Sequence, residues 1–83
     1  MKSIHDPRYR RAINRIRETR LAHGLRQADV ARTLGVCRTM ISGIETFERR
    51  ADLLETYVIA KVCGLRLSDL EPLLAGGGED ARK

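Results

Sequence analysis

The sequence predicts an all-α protein of five helices, and three observations support this class. Apolar residues recur at intervals of three and four along most of the chain, which is the spacing of one helix face. Aromatic residues make up only 4% of the 83 residues, fewer than a β-sandwich or a base-stacking RNA platform uses. Gly24, Gly35 and Gly64 each follow a periodic segment, as a glycine that ends a helix does.

Helix one is expected over about 7–23, after a flexible N-terminal arm at 1–6. Asp6 followed by Pro7 is typical of an N-cap and a first helical position, and Gly24 lies where the helix should end. Apolar residues with helical spacing are expected to face the core: Tyr9, Ala12, Ile13 and Ile16.

The next two helices, expected over about 27–34 and 38–47, are short and close in sequence. Gly35 separates them, and Ala31 is small enough to lie where two crossing helices come closest. Cys37 occupies the N-cap position of the third helix, where Ser or Thr would cap better. Apolar residues of both helices are expected in the core: Val30, Leu34, Val36, Ile41 and Ile44. The opposite face of the third helix carries Arg38, Thr39, Ser42 and Gly43.

Helices four and five are expected to close the core. Asp52 can cap helix four, Gly64 ends it, and Ser68 can cap a short last helix. The apolar residues of helix four are expected to face the core: Leu53, Leu54, Tyr57, Val58, Ile59 and Val62. Residues 76–83 begin with three glycines and are expected to form a flexible tail, so the folded domain should span 7–75.

Positive charge is concentrated in the first half of the chain. The net charge is +5, but residues 1–50 contain 12 Lys and Arg against 5 Asp and Glu, a net +7, and residues 51–83 contain 4 against 6, a net −2. A positive surface attracts nucleic-acid phosphates, although charge alone fits a solvated basic face equally well. The two short helices lie in the basic half, and this combination favours nucleic acid.

Other classes of protein lack the residues they need. No Ser-His-Asp, Cys-His or paired-carboxylate set can be assembled, so no enzyme is predicted. His5 and His23 have no Cys or carboxylate partners at ligand spacing, so neither a metal nor another cofactor is expected. Cys37 and Cys63 are expected to be free thiols, and Cys37 is interpreted as a poor cap or, alternatively, a redox sensor. Without an apolar run of about 18 residues or a signal-peptide pattern, we expect a cytoplasmic protein with no membrane or small-molecule partner.

Four segments of the chain resemble the phage repressor and Cro family of helix-turn-helix proteins, also called the XRE family. They read IRETR at 16–20, GLRQADVARTLGV at 24–36, ISGIE at 41–45 and AKVCGLRLSDL at 60–70, in register without gaps. The resemblance implies a compact, five-helix, lambda-repressor-like fold. It also implies a bacterial or phage-encoded regulator that binds double-stranded operator DNA.

The resemblance assigns roles to three polar residues outside the start of helix three. Gln27 stands where the family has a Gln that holds a DNA phosphate, with a solvated helix start as the alternative. Arg20 and Glu45 stand where the family has a partly buried ion pair, which ties helix one to the end of helix three. We therefore interpret Arg20 and Glu45 as structural.

Base-reading positions of the family match residues on helix three: Arg38, Thr39, Ser42 and Gly43. Arg38 is the strongest candidate because its planar guanidinium can bond both O6 and N7 of a guanine, with phosphate contact as the alternative. Gly43 offers no side chain where many relatives have one, and Phe47 replaces the glycine that commonly ends this helix. Phosphate contacts are expected from Arg26, Gln27, Cys37, Arg49 and Arg50, although Arg49 and Arg50 are also consistent with solvation.

Leucines are more frequent near the last helix than a small core requires: Leu65, Leu67, Leu70, Leu73 and Leu74. We interpret them as a homodimer interface, with simple closure of the core as the alternative. A dimer with one reading helix per chain should bind a palindrome with half-sites about 34 Å apart, as a repressor or autoregulator. The alternative function is an antitoxin-like module that binds a partner protein and autoregulates its operon.

Overall fold

A computed structural model describes the backbone of residues 3–82 and the side chains of residues 4–75. The described chain forms five α-helices and no strand, which confirms the predicted all-α fold class. The helices are α1 (Pro7–Ala22), α2 (Gln27–Leu34), α3 (Arg38–Glu45), α4 (Leu53–Val62) and α5 (Leu67–Arg82). α1 packs along α5, and α2 packs against α3 and α4. The core contains aliphatic residues from all five helices: Ala12, Ile13, Ile16, Val30, Ala31, Ile41, Ile44, Ile59, Ala60 and Leu70.

The N-terminal segment is more ordered than predicted. Asp6 caps α1 through a 2.8 Å hydrogen bond from the Arg8 backbone N–H, and Pro7 is the first helical residue, as expected. Before the cap, however, Ser3–His5 forms a short 3₁₀ helix. The Ile4 carbonyl there accepts a hydrogen bond from the Arg10 guanidinium at 2.9 Å, and this contact holds the segment to α1. The prediction of a loose arm over 1–6 is therefore wrong for 3–6, and residues 1–2 lie outside the described residues.

Helix α3 ends at Glu45, two residues before the predicted end. Phe47 then adopts a left-handed φ of +66°, the conformation for which a glycine is usual at this position. The Phe47 ring is held between Tyr9, in an edge-to-face contact with centroids 6.5 Å apart, and the Arg10 guanidinium, 4.5 Å from the ring centroid. Packing of the ring thus offsets the cost of the unfavourable backbone conformation.

Helix α4 buries less of its apolar surface than predicted. Leu53, Leu54 and Tyr57 are 76%, 69% and 41% exposed, so their assignment to the core is wrong. The apolar residues of α4 lie on almost every side of the helix, so their spacing does not indicate which face is buried. The fully buried residues of α4 are Ile59 and Ala60.

Helix α5 differs from the prediction at both ends. It begins at Leu67, not after Ser68, because the backbone N–H of Arg66 bonds to the Asp69 carboxylate at 2.9 Å and so closes the first turn. It continues to Arg82 through the three glycines, where the sequence predicted a flexible tail from 76. Glycine weakens a helix but keeps its backbone N–H, so the hydrogen-bond ladder can continue. Lys83 lies outside the described residues.

Candidate nucleic-acid interface

The packing of α2 on α3 places the N-terminal end of α3 at the surface. Val30 and Ala31 of α2 are buried against the core, as are Ile41 and Ile44 of α3. Between the helices, Gly35 has the predicted left-handed conformation at φ +74° and ψ +31°. With the apolar face of α3 fixed inward, its first residues are turned outward, and the side chains of Arg38 and Thr39 are exposed.

A buried ion pair connects α1 to the end of α3. Arg20 and Glu45 are 5% and 8% exposed, and the Arg20 Nε and Nη2 atoms donate to the two Glu45 carboxylate oxygens at 2.7 and 2.8 Å. The Arg20 Nη1 atom donates to the Leu25 carbonyl at 2.7 Å, which also ties the loop before α2 to α1. Two parallel hydrogen bonds between charged groups fix both direction and distance, so the pair sets the position of α3 relative to α1.

Gln27, the first residue of α2, connects this ion pair to the exposed end of α3. Its amide nitrogen donates to Glu45 Oε1 at 2.9 Å, and its amide oxygen accepts from Arg38 Nη1 at 2.9 Å. Both polar atoms of the side chain therefore have partners within the protein. The backbone N–H of Gln27, one of the first in its helix, has no partner within that helix, and both it and the second hydrogen of the side-chain amide nitrogen remain for an external ligand.

Three of the four proposed base-reading residues lie on one accessible surface at the start of α3. Arg38 and Thr39 are exposed and Ser42 is half-buried. Gly43 is buried, and its proposed place on this surface is wrong. The loop after α3 covers it, because its carbonyl accepts hydrogen bonds from the backbone N–H groups of Glu48 and Arg49 at 2.9 and 3.1 Å.

Cys37 is exposed at the N-cap position of α3, as predicted. Its sulfur lies 3.1 Å from the Thr39 hydroxyl oxygen and makes no capping hydrogen bond. The hydrogen bond with Thr39, followed by the interaction with the Met40 backbone, lowers the pKa of the Cys37 thiol. Cys63 is buried in the core, and burial raises the pKa of its thiol.

The cations proposed to contact phosphate are exposed, and carboxylates lie beside Arg26 and Arg49. The Arg26 guanidinium lies 3.2 Å from Asp29, and Arg49 lies 2.6 Å from Glu55. Arg50 is also exposed. A phosphate group would compete with the carboxylates for Arg26 and Arg49, and these surface pairs are weak enough for such exchange.

The structure adds two residues to this surface that sequence reasoning missed. The Arg17 side chain is half-exposed, and its Nε lies 3.8 Å from Glu45 Oε1, the same oxygen that binds Gln27. Thr46 is exposed one turn beyond Ser42 and bonds back to the Ser42 carbonyl at 3.0 Å. Arg17 could have been found from its spacing, since it lies one turn before Arg20 on the same face of α1.

The leucines proposed for a dimer interface divide into two groups. Leu65 and Leu70 are buried in the core, where they close it, and their assignment to an interface is wrong. Leu73 is partly buried against the same core. Leu67 and Leu74 are 40% and 44% exposed, and with Leu53 they line a groove between α1, α4 and α5. Leu53 was not predicted for this surface.

The described part of the chain contains neither a metal-binding cluster nor a membrane-spanning helix. Among those residues, no group of three or more His, Cys, Asp and Glu side chains is placed to hold a metal ion. No helix within them is both long enough and apolar enough to span a membrane.

Comparison with known proteins identifies the two-helix arrangement. A family model described as helix-turn-helix matches residues 16–70, about two thirds of the chain. The match includes all of α2, α3 and α4 and the start of α5. Neither the curated proteins nor the solved structures include a significant match.

Proposed function

We propose that this chain, which belongs to the Cro/C1-type helix-turn-helix family of DNA-binding transcription regulators, is a sequence-specific repressor that reads a palindromic operator as a homodimer. The observation that carries the proposal is the exposed start of α3, where Arg38, Thr39 and Ser42 share one surface in the basic half of the chain. An α-helix fits the major groove of DNA, and the residues at the start of a recognition helix meet the base edges there.

Arg38 is the proposed principal base contact. Its guanidinium is exposed and uses one Nη1 hydrogen on Gln27, which leaves four N–H groups for DNA. A guanidinium can donate two parallel hydrogen bonds to O6 and N7 of a guanine. Thr39 and Ser42 have short hydroxyl side chains that either donate or accept, so they add weaker and less selective contacts.

Phosphate contacts are proposed around the reading surface, on both sides of α3. The start of α2 contributes Arg26 and the Gln27 backbone N–H, and the start of α3 contributes the exposed N-cap residue Cys37. The loop after α3 contributes Arg49 and Arg50. These contacts position the protein on the duplex, but they carry no sequence information themselves.

The homodimer is proposed to form through the groove between α1, α4 and α5. Three exposed leucines line this groove: Leu53, Leu67 and Leu74. We propose this smaller set in place of the five leucines that the sequence suggested. One copy of the reading helix per chain makes a two-fold dimer the simplest way to bind two half-sites, about 34 Å apart on one side of the duplex.

Selection of bound duplexes from a random pool tests this function. We expect a two-fold symmetric sequence with a guanine in each half-site, and an affinity that falls steeply with salt because phosphate contacts release counterions. Light scattering of the same protein should give twice the chain mass. Failure to enrich any sequence, with binding that is equal on all duplexes, would reject sequence-specific regulation.

A second candidate function is supported by one observation on α4. Leu54 and Tyr57 are exposed apolar side chains, and Leu54 lines a second groove, between α2, α3 and α4. Such a surface suits the antitoxin-like alternative, in which the chain also binds a partner protein. A purified chain that is a stable dimer and remains soluble without any partner would favour the repressor over this candidate.

A further inference from the structure

One side chain of α1 is attached to both ends of the loop between α3 and α4. This loop, residues 46–51, carries Arg49 and Arg50, two of the proposed phosphate contacts. Near its start, the Phe47 ring packs edge to face on the Tyr9 ring, with centroids 6.5 Å apart. At its end, the backbone N–H of Ala51 donates to the Tyr9 hydroxyl oxygen at 2.9 Å. Tyr9 therefore restricts the segment between these two attachments, which contains both arginines.

Arg10 holds the start of the loop from a second direction. Its guanidinium carbon lies 4.5 Å from the centroid of the Phe47 ring, within the range of a cation–π contact. Its Nε donates to the Ile4 carbonyl at 2.9 Å. The Phe47 ring thus lies between an aromatic ring and a guanidinium, and the guanidinium is in turn tied to the segment before α1.

The backbone of Phe47 shows that these contacts determine the conformation of the loop. Its φ of +66° costs free energy in a residue with a Cβ and persists only where surrounding contacts fix it. The contacts of the ring with Tyr9 and Arg10 provide that fixation. Their removal would therefore release the loop from this conformation.

The anchoring residues lie outside the part of the chain that matches the helix-turn-helix model. That match covers residues 16–70, whereas Ile4, Tyr9 and Arg10 precede it. The match therefore includes the loop but not the residues of α1 that hold it. A loop that is ordered before binding loses less conformational entropy when its side chains meet DNA. Residues outside the match can thus raise the affinity for DNA without contacting it.

We propose that Tyr9 and Arg10 are positioning residues for DNA binding, which hold the 46–51 loop in the conformation where Arg49 and Arg50 contact phosphates. The N-terminal part of α1 thus contributes to DNA binding through the loop that it fixes. This inference rests on the proposed function in that the two loop arginines must contact DNA. Its first half, the anchoring of the loop in the free protein, is independent of DNA.

The anchoring is tested by amide hydrogen exchange on the full chain without DNA. Tyr9→Phe keeps the ring against Phe47 but removes the hydroxyl that accepts from Ala51. The Ala51 N–H should then exchange about tenfold faster relative to the slowest core amides. In Phe47→Gly, which removes the ring and suits the left-handed φ, the N–H groups of Glu48 and Arg49 should exchange faster as well. Unchanged exchange in both variants would overturn the anchoring.

The effect on DNA binding is tested with an unselected duplex over a range of salt concentrations. Each phosphate contact contributes about −0.9 to the slope of log K against log salt. Phe47→Gly and Arg10→Gln should each make the slope less steep by about one to two contacts. Arg11→Gln is the matched control, because it removes the same charge from the next residue, whose guanidinium bonds to the Leu73 carbonyl of α5. It should bind with the wild-type slope, and equal losses in Arg10→Gln and Arg11→Gln would overturn the inference.

A combination of variants shows whether Arg10 acts through the loop. In a chain that already carries Arg49→Gln and Arg50→Gln, the addition of Phe47→Gly or Arg10→Gln should cause no further change in slope. A further loss from Arg10→Gln would mean that Arg10 contacts phosphate itself, and it would overturn the positioning role.

Two further outcomes separate this inference from the proposed function. A wild-type slope with only a lower melting temperature in Phe47→Gly and Arg10→Gln would overturn the inference, because the contacts would then only stabilise the fold. If Phe47→Gly does not fold, Arg10→Gln decides alone. If Arg49→Gln with Arg50→Gln leaves the slope unchanged, or the wild type binds no duplex, the proposed phosphate contacts fail. The exchange of Ala51 still shows whether the loop is anchored.

Discussion

Two helix junctions in this molecule have the same backbone and different surroundings. Segments 20–29 and 60–69 both read as the end of one helix, a Gly-Leu-Arg turn and the start of another. Gly24 and Gly64 have left-handed φ values of +71° and +93°. In each, the leucine after the glycine donates its backbone N–H to the carbonyl five residues earlier, at 3.0 and 2.7 Å.

The helix that follows each junction also starts in the same way. Arg26 and Arg66 occupy the positions before the first helical residue, and their backbone N–H groups donate to Asp29 and Asp69 at 2.8 and 2.9 Å. A carboxylate three residues into the helix thus satisfies a backbone donor at both places. The local sequence alone accounts for both structures.

The two junctions differ in the residues before and after the turn. Arg20, before the first junction, makes the buried ion pair, whereas the corresponding residue before the second is the fully buried Ala60. After the turn, Gln27 makes hydrogen bonds to both Glu45 and Arg38 and so links the ion pair to the proposed reading surface. The corresponding residue after the second turn, Leu67, is an exposed apolar residue. Thus a shared turn precedes the helix that supports the proposed reading surface in one place and an apolar surface in the other, and the side chains at these two positions make the difference.

The largest difference in stability between the two junctions should appear when one partner of the buried ion pair at the first junction is removed. Arg20→Ala or Glu45→Ala should lower the free energy of unfolding by about 3–5 kcal/mol, because each leaves a buried charge without its partner. Urea unfolding measures this. Arg66→Ala, which removes an exposed cation from the second junction, is the control and should stay within about 0.5 kcal/mol. A loss below about 1 kcal/mol for Arg20→Ala would mean that the pair behaves as an exposed one.

Alanine substitutions at the two junction glycines should show how much each left-handed backbone conformation costs when the residue has a Cβ. Gly24→Ala and Gly64→Ala should each cost about 1–2 kcal/mol, because a Cβ disfavours left-handed φ. The loss should be greater at Gly64, where φ lies further from the usual left-handed value; the added Cβ would meet the His23 ring there at an ordinary contact distance of 3.6 Å, so φ is the cause of the difference. Thermal unfolding measures both variants.

A third glycine provides a control of opposite sign. Gly43 lies inside α3, and an added Cβ would contact only Arg49 Cβ, at an ordinary 3.7 Å. Gly43→Ala should therefore raise stability by up to about 1 kcal/mol through helix propensity. If all three substitutions destabilise equally, left-handed φ is not the cause of the loss at the junctions.

Acid should weaken the carboxylate caps of α1 and α2. The hydrogen bond from the Arg8 side chain lowers the pKa of Asp6 to about 2, and that from Arg26 lowers the pKa of Asp29. A lowered folded-state pKa gives stability that is present above the unfolded pKa and is lost as pH falls through the folded value. The melting temperature should therefore fall between about pH 4 and pH 2, and fall less in Asp6→Asn and Asp29→Asn. Identical slopes in all three proteins would exclude these carboxylates as the source.

The smallest effect on stability is expected from making the second junction resemble the first. Leu67→Gln places a glutamine after the second turn, at the position of Gln27 in the first. Ala60 stands where the first junction has Arg20, so no buried ion pair is present for the new glutamine to bind. The free energy of unfolding of the monomer should change by less than about 0.5 kcal/mol, since the side chain is half-exposed. Light scattering should nevertheless show a shift from dimer to monomer. An unchanged dimer would exclude Leu67 from the interface.

The sequence predicted the first junction and the helix pair after it more accurately than the second. The bounds of α2 and the left-handed Gly35 were correct because a cap, an apolar period and a glycine agree there. On α4 the apolar residues lie on several sides, so only tertiary packing decides that Ile59 is buried and Leu53 exposed. The burial of Gly43 also depends on a later segment, the loop at 46–49, which folds over it.

The candidate site shows the same limit in its polar contacts. The family resemblance predicted the pairing of Arg20 with Glu45 and the exposed position of Arg38. No local pattern in the sequence, however, predicts that Gln27 contacts both Glu45 and Arg38. The pairing of Arg49 with Glu55 likewise requires the turn between α3 and α4. Long-range side-chain contacts of this kind are set by the packed fold, whereas caps and turns are set by nearby residues.

Binding of the wild type and of Arg38→Ala to two duplexes, one selected from a random pool and one with the same bases scrambled, tests whether α3 reads sequence. Arg38→Ala should weaken binding to the selected duplex by about 1–3 kcal/mol and leave binding to the scrambled duplex nearly unchanged. Equal losses on the two duplexes would contradict base reading by Arg38 and reduce it to a phosphate contact.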